Sequence, residues 1–171
     1  TIRKIREGRA GPVPVDLDQV IREEIAHHPD ARITYEGSRT LVLADDLLPE
    51  VFTNLIGNAA KHGGPGVEIV VTVEDAEEEG MVAVTIADTG PGVPDSAKKR
   101  IFARFEQGAA RESGQGLGLS ICRMLLDRYG GRIWAEDRVA GHPEEGAAFR
   151  LTLRKAGGSE PLEPGASRAP R

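Results

Sequence analysis

The spacing of apolar residues divides the chain into helical and extended stretches. Leu17, Val20, Ile21 and Ile25 lie one helical turn apart, which predicts an amphipathic helix to about His27. Asp16 and Gln19 have capping-box spacing at its start. Two short strands are expected next, Ala31–Glu36 and Thr40–Ala44, joined by a Gly-Ser turn. From Asp46 to His62 the pattern is helical again and carries two stripes. Leu48, Val51, Phe52, Leu55 and Ala59 fall on one face, while Glu50, Asn54, Asn58 and Lys61 cluster on another. The glycine-rich run at 63–66 ends this helix. Alternation at Val67, Ile69, Val71 and Val73, an acidic turn, and the strand Met81–Asp88 predict an antiparallel hairpin. A helix from Leu117 to Tyr129 precedes strands Arg132–Glu136 and Ala148–Arg154, with a loop at 141–146 between them.

The remaining stretches carry little periodicity. Residues 1–14 are basic and end in Gly and Pro, so they are expected to be the end of a helix and a linker. Residues 15–155 form the domain, and the Pro/Gly-rich tail 156–171 is expected to be disordered. Residues 89–116 are long for a connection in a compact domain, which points to a lid or a disordered segment, with one short helix around Ser96–Phe102.

Composition narrows the class. The 171 residues include 39% hydrophobic but only 4% aromatic residues, so an aliphatic α/β core is expected. A net charge of −5 without a basic block argues against a nucleic-acid or anionic-membrane surface. Cys122 is the single cysteine, which excludes an internal disulfide and a cysteine-built metal site and suits a reducing cytoplasm. No apolar run is long enough for a spanning helix. The chain opens at Thr1 without Met and is expected to be a piece of a longer protein.

Three constellations carry chemistry. Asp88 shares strand parity with Val84 and Ile86, so its carboxylate should face the buried side and require a donor. The glycines of Thr89-Gly90-Pro91-Gly92 would let a flat ligand approach the backbone, and a purine amine would satisfy the acid; an ordinary strand-end turn is the alternative. Gly114-Gln115-Gly116-Leu117-Gly118-Leu119 runs into a helix N-terminus, which suits phosphate or merely a hinge. On the polar stripe, an Asn amide oxygen suits Mg²⁺ and Lys61 suits phosphate, against the alternative of a solvated helix face.

The order and spacing of these segments carry a resemblance. NLIGNAAKHG (Asn54 to Gly63), DTGPGVP (Asp88 to Pro94), IFARFEQG (Ile101 to Gly108) and GQGLGLSICRMLLDRYGGRIWAE (Gly114 to Glu136) resemble the N, G1, F and G2 boxes of the catalytic ATP-binding domain of sensor histidine kinases. EEGAAFRLTL resembles that domain's closing strand, and TIRKIREGRAGPVPVDL the passage from a dimerisation helix. The resemblance implies a Bergerat-type two-layer α/β sandwich. Its mixed, mostly antiparallel sheet would carry helices on one face and a mobile ATP lid. It further implies that Asp88 takes the adenine amine with Gly90, Gly92 and Val93 around it, that Asn58 holds Mg²⁺, and that Lys61 and His62 contact phosphate. Gln115, Gly116, Leu117, Gly118 and Leu119 would wrap the triphosphate, and Phe102 and Phe105 would anchor the lid.

Three departures qualify it. Glu106-Gln107 stands where many of these kinases have a basic residue, so a lid contact to the γ-phosphate falls to Arg104, to Arg111 or to no residue of the lid. Asn54 stands where the gyrase-like branch has a water-activating Glu, which favours transfer over hydrolysis. None of His27, His28, His62 and His142 lies in a phosphoacceptor motif, so the acceptor His belongs to a dimerisation domain outside this chain, with a response-regulator receiver domain as the further partner. Glu50, ahead of Asn54, is the preferred group to assist that His. The alternatives are a Ser kinase of the anti-sigma-factor type, a non-catalytic nucleotide sensor and a gyrase-branch hydrolase.

Overall fold

A computed structural model describes residues 11–103 and 115–157 of the chain. Its elements are β1 (Val13–Asp16), α1 (Leu17–Ala26), β2 (Arg32–Tyr35), β3 (Leu41–Ala44), α2 (Leu48–His62), β4 (Glu68–Asp75), β5 (Met81–Asp88), α3 (Gln115–Arg128), β6 (Arg132–Val139) and β7 (His142–Arg154). The main sheet has five strands in the order β2-β4-β5-β7-β6, with β2 parallel to β4 and the other pairs antiparallel. The three helices cover one of its faces. Between the layers lie Leu17 and Ile21 of α1, Val51, Phe52 and Leu55 of α2, and Leu125 of α3, against Ile69, Val84, Ile86 and Leu151 of the sheet.

Local chemistry accounts for the helix boundaries. Asp16 caps α1 by accepting the Gln19 N–H at 3.2 Å. The start of α2 has no side-chain cap on its first turns but carries Pro49, whose missing N–H costs nothing there. Asp45, just ahead of α2, accepts the Leu47 N–H at 3.0 Å, the Tyr129 hydroxyl, and Arg128 at 2.9 Å. The start of α2 is thereby tied to the end of α3. Glu24 of α1, almost fully buried, accepts the Thr53 hydroxyl at 2.8 Å and lies 2.9 Å from His28, which ties α1 to α2. A buried carboxylate needs such partners.

Three sequence expectations change, and the pairing of two strands is settled. Val13 and Pro14, expected as linker, lie in β1, which pairs antiparallel with β3. With only Val13 and Val15 alternating over four residues the strand is too short to stand out, and Pro14 is tolerated because β1 is an edge. The strands on either side of the Gly-Ser turn do not pair with each other: β2 joins the edge of the large sheet while β3 pairs with β1 and bridges Lys155. Asp18 accepts the Ser38 N–H at 3.0 Å and steers the chain between them. The helix expected around Ser96–Phe102 is reduced to a single 3₁₀ turn at Arg100–Phe102. The expected 141–146 loop is instead the start of β7, paired tightly back onto β6. Its polar composition hides a strand whose pairing comes from a neighbour.

Candidate nucleotide-binding site

Asp88 ends β5 with 7% of its surface exposed, on the core side with Val84 and Ile86 as its parity requires. Its carboxylate accepts the Gly90 N–H at 2.9 Å and the Ala147 N–H from β7. Burial pushes its pKa above the ordinary aspartate value, while these two N–H groups and the Arg138 guanidinium pull the other way. The outcome is a desolvated acceptor held in place by backbone donors.

Glycines close the walls. A Cβ on Gly90 would stand 2.8 Å from the Gly63 Cα, so the turn after β5 touches the end of α2. That approach brings Asp88 into one site with the polar stripe. Gly92 lies against the Pro143 and Gly146 carbonyls, where a side chain would overlap, so it packs the turn onto β7. Gly146 has φ +111°, and a Cβ there would overlap the Asp88 carbonyl oxygen. Val93 is half-buried beside this turn.

Along α2, Glu50, Asn54 and Asn58 are half-buried, and Lys61 and His62 are exposed at its last turn. Asn54 donates from Nδ2 to the Glu50 carbonyl at 2.7 Å, and its Oδ1 fills the space where a side chain on Gly118 would stand. It is therefore packed against the first turns of α3. Asn58 makes no hydrogen bond through its amide among the described residues, and its neutral oxygen is a hard donor that fits a cation such as Mg²⁺. Gln115, Gly116 and Leu117 form the opening turn of α3, and Leu119 is buried in the core.

The segment expected to start the lid is anchored. Phe102 is buried edge-on against Phe149, with centroids 6.1 Å apart, and Lys98 is held between Asp95 and Asp137. Arg104, Phe105 and Arg111 lie outside the described residues. Sequence reasoning missed Gly63, Arg138, Gly146 and Ala147. An isolated Gly beside a strand does signal close backbone approach, but nothing near it in sequence pointed to Asp88.

A buried acid at a strand end, walled by glycine backbone and flanked by a helix bearing amide and ammonium groups, suits the binding of a nucleotide. Comparison with known proteins agrees. The family described as histidine kinase-, DNA gyrase B- and HSP90-like ATPase matches residues 44–157, and the chain belongs to it. The adaptive-response sensory kinase SasA of Synechococcus sp. strain CC9902 is 39% identical over 107 residues, which cover 61% of this chain and 27% of that protein. The chain thus spans about a quarter of the length of the curated relatives it matches. The mycobacterial sensor histidine kinase MprB superposes with a TM-score of 0.74 at 26% identity, covering 84% of this chain and 97% of that one. The catalytic domain of histidine kinase ThkA gives 0.70 at 30% identity, covering 84% and 95%. ThkA in complex with the response regulator TrrA gives 0.68 at 28% identity, covering 91% and 45%. The chain is an ATP-binding catalytic domain of the histidine kinase type. None of its described helices is long and apolar enough to cross a membrane.

Proposed function

We propose that this domain binds Mg²⁺-ATP and transfers the γ-phosphoryl group to a histidine on a dimerisation domain of its own parent protein, in a two-component pathway. The observation that carries the proposal is Asp88: a buried carboxylate that presents an acceptor to an exocyclic amine while backbone N–H groups hold it. Gly90, Gly92 and Val93 shape the base site. Asn58 would supply a Mg²⁺ ligand, Lys61 and His62 would meet phosphate, and the opening turn of α3 would turn its backbone N–H groups towards the triphosphate. Phosphoryl transfer asks mainly for positioning and charge neutralisation, which this set provides. The metal would neutralise charge on the phosphates.

Asn54 has no basic group to activate water, and its amide is committed to the Glu50 carbonyl, which supports transfer over hydrolysis. Glu50 remains available to assist the incoming histidine. The downstream partner is a response-regulator receiver domain, in line with the ThkA complex with TrrA. The domain's place of action is the cytoplasm, without contact of its own with membrane or nucleic acid.

The test is a chain in which a dimerisation segment bearing a phosphoacceptor histidine precedes this domain, supplied with labelled ATP and Mg²⁺. Acid-labile, base-stable label on the protein is the expected result, because a phosphoramidate hydrolyses in acid. Acid-stable label would indicate a Ser kinase, and nucleotide binding without transfer a sensor.

A further inference from the structure

Arg138 is an exposed residue on β6, absent from every motif that points to the nucleotide, yet it stands directly behind the adenine acid. Its Nε donates to the Glu145 carbonyl at 2.8 Å and would lie 2.9 Å from a Cβ on Gly146. The same Cβ position abuts the Asp88 carbonyl on its other side. Glu145, Gly146 and Ala147 are consecutive, and the Ala147 N–H is one of the two backbone donors to the Asp88 carboxylate. The irregularity in the β6–β7 register between Asp137 and Val139 falls at Arg138 itself. A bulge at such a place re-aims a side chain.

We propose that Arg138 is a positioning residue for the adenine site: from β6 it fastens the Glu145–Ala147 segment, whose Ala147 N–H holds the Asp88 carboxylate, and brings a positive charge to that corner of the site. The inference rests on the reading of Asp88 as the adenine acid and goes beyond it by naming what keeps that acid in its accepting form. Other charged groups on the surrounding elements are Glu68 on β4, Lys61 and His62 at the end of α2, Glu136 and Asp137 on β6, the latter held by Lys98, and His142, Glu144 and Glu145 on β7. Glu68 is engaged by Arg32 at 3.8 Å, and His142 by Glu144 at 3.3 Å. Burial pushes the Asp88 pKa up; among the described residues the Gly90 and Ala147 N–H groups, and after them the Arg138 charge, draw it back down. Adenine recognition needs the acceptor form, so losing the guanidinium should make recognition fail earlier on acidification.

The decisive measurement is an NMR titration of the Asp88 carboxyl carbon in the nucleotide-free chain, compared with Arg138→Met and Arg138→Lys. Because Arg138 is exposed, both variants should fold. The expected result is a higher Asp88 midpoint in Arg138→Met and a midpoint near the parent's in Arg138→Lys. ADP affinity of Arg138→Met should fall by up to about fivefold near pH 5 yet stay within about twofold of the parent near pH 8. An unshifted midpoint in Arg138→Met overturns the proposal. So does an ADP affinity of Arg138→Met equal to the parent's at every pH, since loss of the fastening should then have been felt. The titration is read without nucleotide, so its result is separate from the assignment of Asp88 to adenine, which Asp88→Asn tests through ADP affinity.

Discussion

At the end of β5 the Asp88 carboxylate is nearly out of water and meets two backbone N–H groups, whereas at the end of α2 Lys61 and His62 stand in solvent. Among the described residues Lys61 meets no acidic partner. In the proposed reading the base end is made by backbone: Gly90 against Gly63, Gly92 against Pro143, Gly146 against Asp88. The phosphate end is then made by side chains spaced along one helix. A flat, neutral base is best recognised by a rigid, desolvated acceptor whose geometry is set before binding. A hydrated, highly charged triphosphate and its metal are better met by groups that keep their own hydration until the ligand arrives. Substitutions of the glycines at the base end should therefore act on fold and base affinity together, and those at the phosphate end on affinity alone.

The largest effect is expected from Gly146→Val. It combines a positive φ with overlap on the Asp88 carbonyl, and should cost about 3 kcal/mol or more of stability together with ADP binding. Thermal unfolding and calorimetry on the same sample check both losses. A Gly146→Val protein with the parent's melting temperature would remove the backbone-built character of this end.

Asp88→Asn should be next, lowering ADP affinity about 30-fold or more because the amide presents donors where the base needs an acceptor. The melting temperature near neutral pH should hold or rise. The sign follows from burial: a carboxylate whose folded pKa is raised weakens the fold above that pKa, and the neutral amide relieves this. By the same reasoning, the parent's ADP affinity should fall on acidification beginning above the ordinary aspartate range. An acid limb that persists in Asp88→Asn would assign it to another group.

At the phosphate end, Asn58→Ala should abolish most of the gain in ATP affinity that Mg²⁺ brings, about tenfold, with no change in melting temperature. ATP titrations with and without Mg²⁺ in both proteins give the comparison, and an equal metal effect in each would sink the assignment. The smallest effect belongs to Lys61→Ala. Loss of one exposed point charge should weaken ATP by about two- to fivefold and AMP hardly at all, and high salt should shrink the difference. Equal weakening of ATP and AMP would move Lys61 away from the β- and γ-phosphates.

The stripes of α2 and the inward direction of Asp88 were legible in the sequence because both follow from periods local to one element: 3.6 residues in the helix, and 2 in the strand. The cap at Asp16 was legible for the same reason. Arg138, Gly146 and Ala147 were not, since their roles come from β7 crossing the end of β5, and their own stretch is polar and unpatterned. Asn54 illustrates both sides. Its place on the polar stripe followed from spacing, but its commitment to the Glu50 carbonyl and its packing against Gly118 required α3 to be docked on α2.

By itself, then, the sequence determined the kinds of element, the order of the segments that carry the family resemblance and the polar face of α2. Each of these depends on residues within a turn or two of one another. Tertiary structure alone decided that β2 and β3 part company to different sheets, that β1 exists, and that the Gly63 and Gly90 turns touch. Strand partners and backbone contacts are chosen by the burial of whole faces across long stretches of chain, and no local pattern encodes which distant edge will be free to pair.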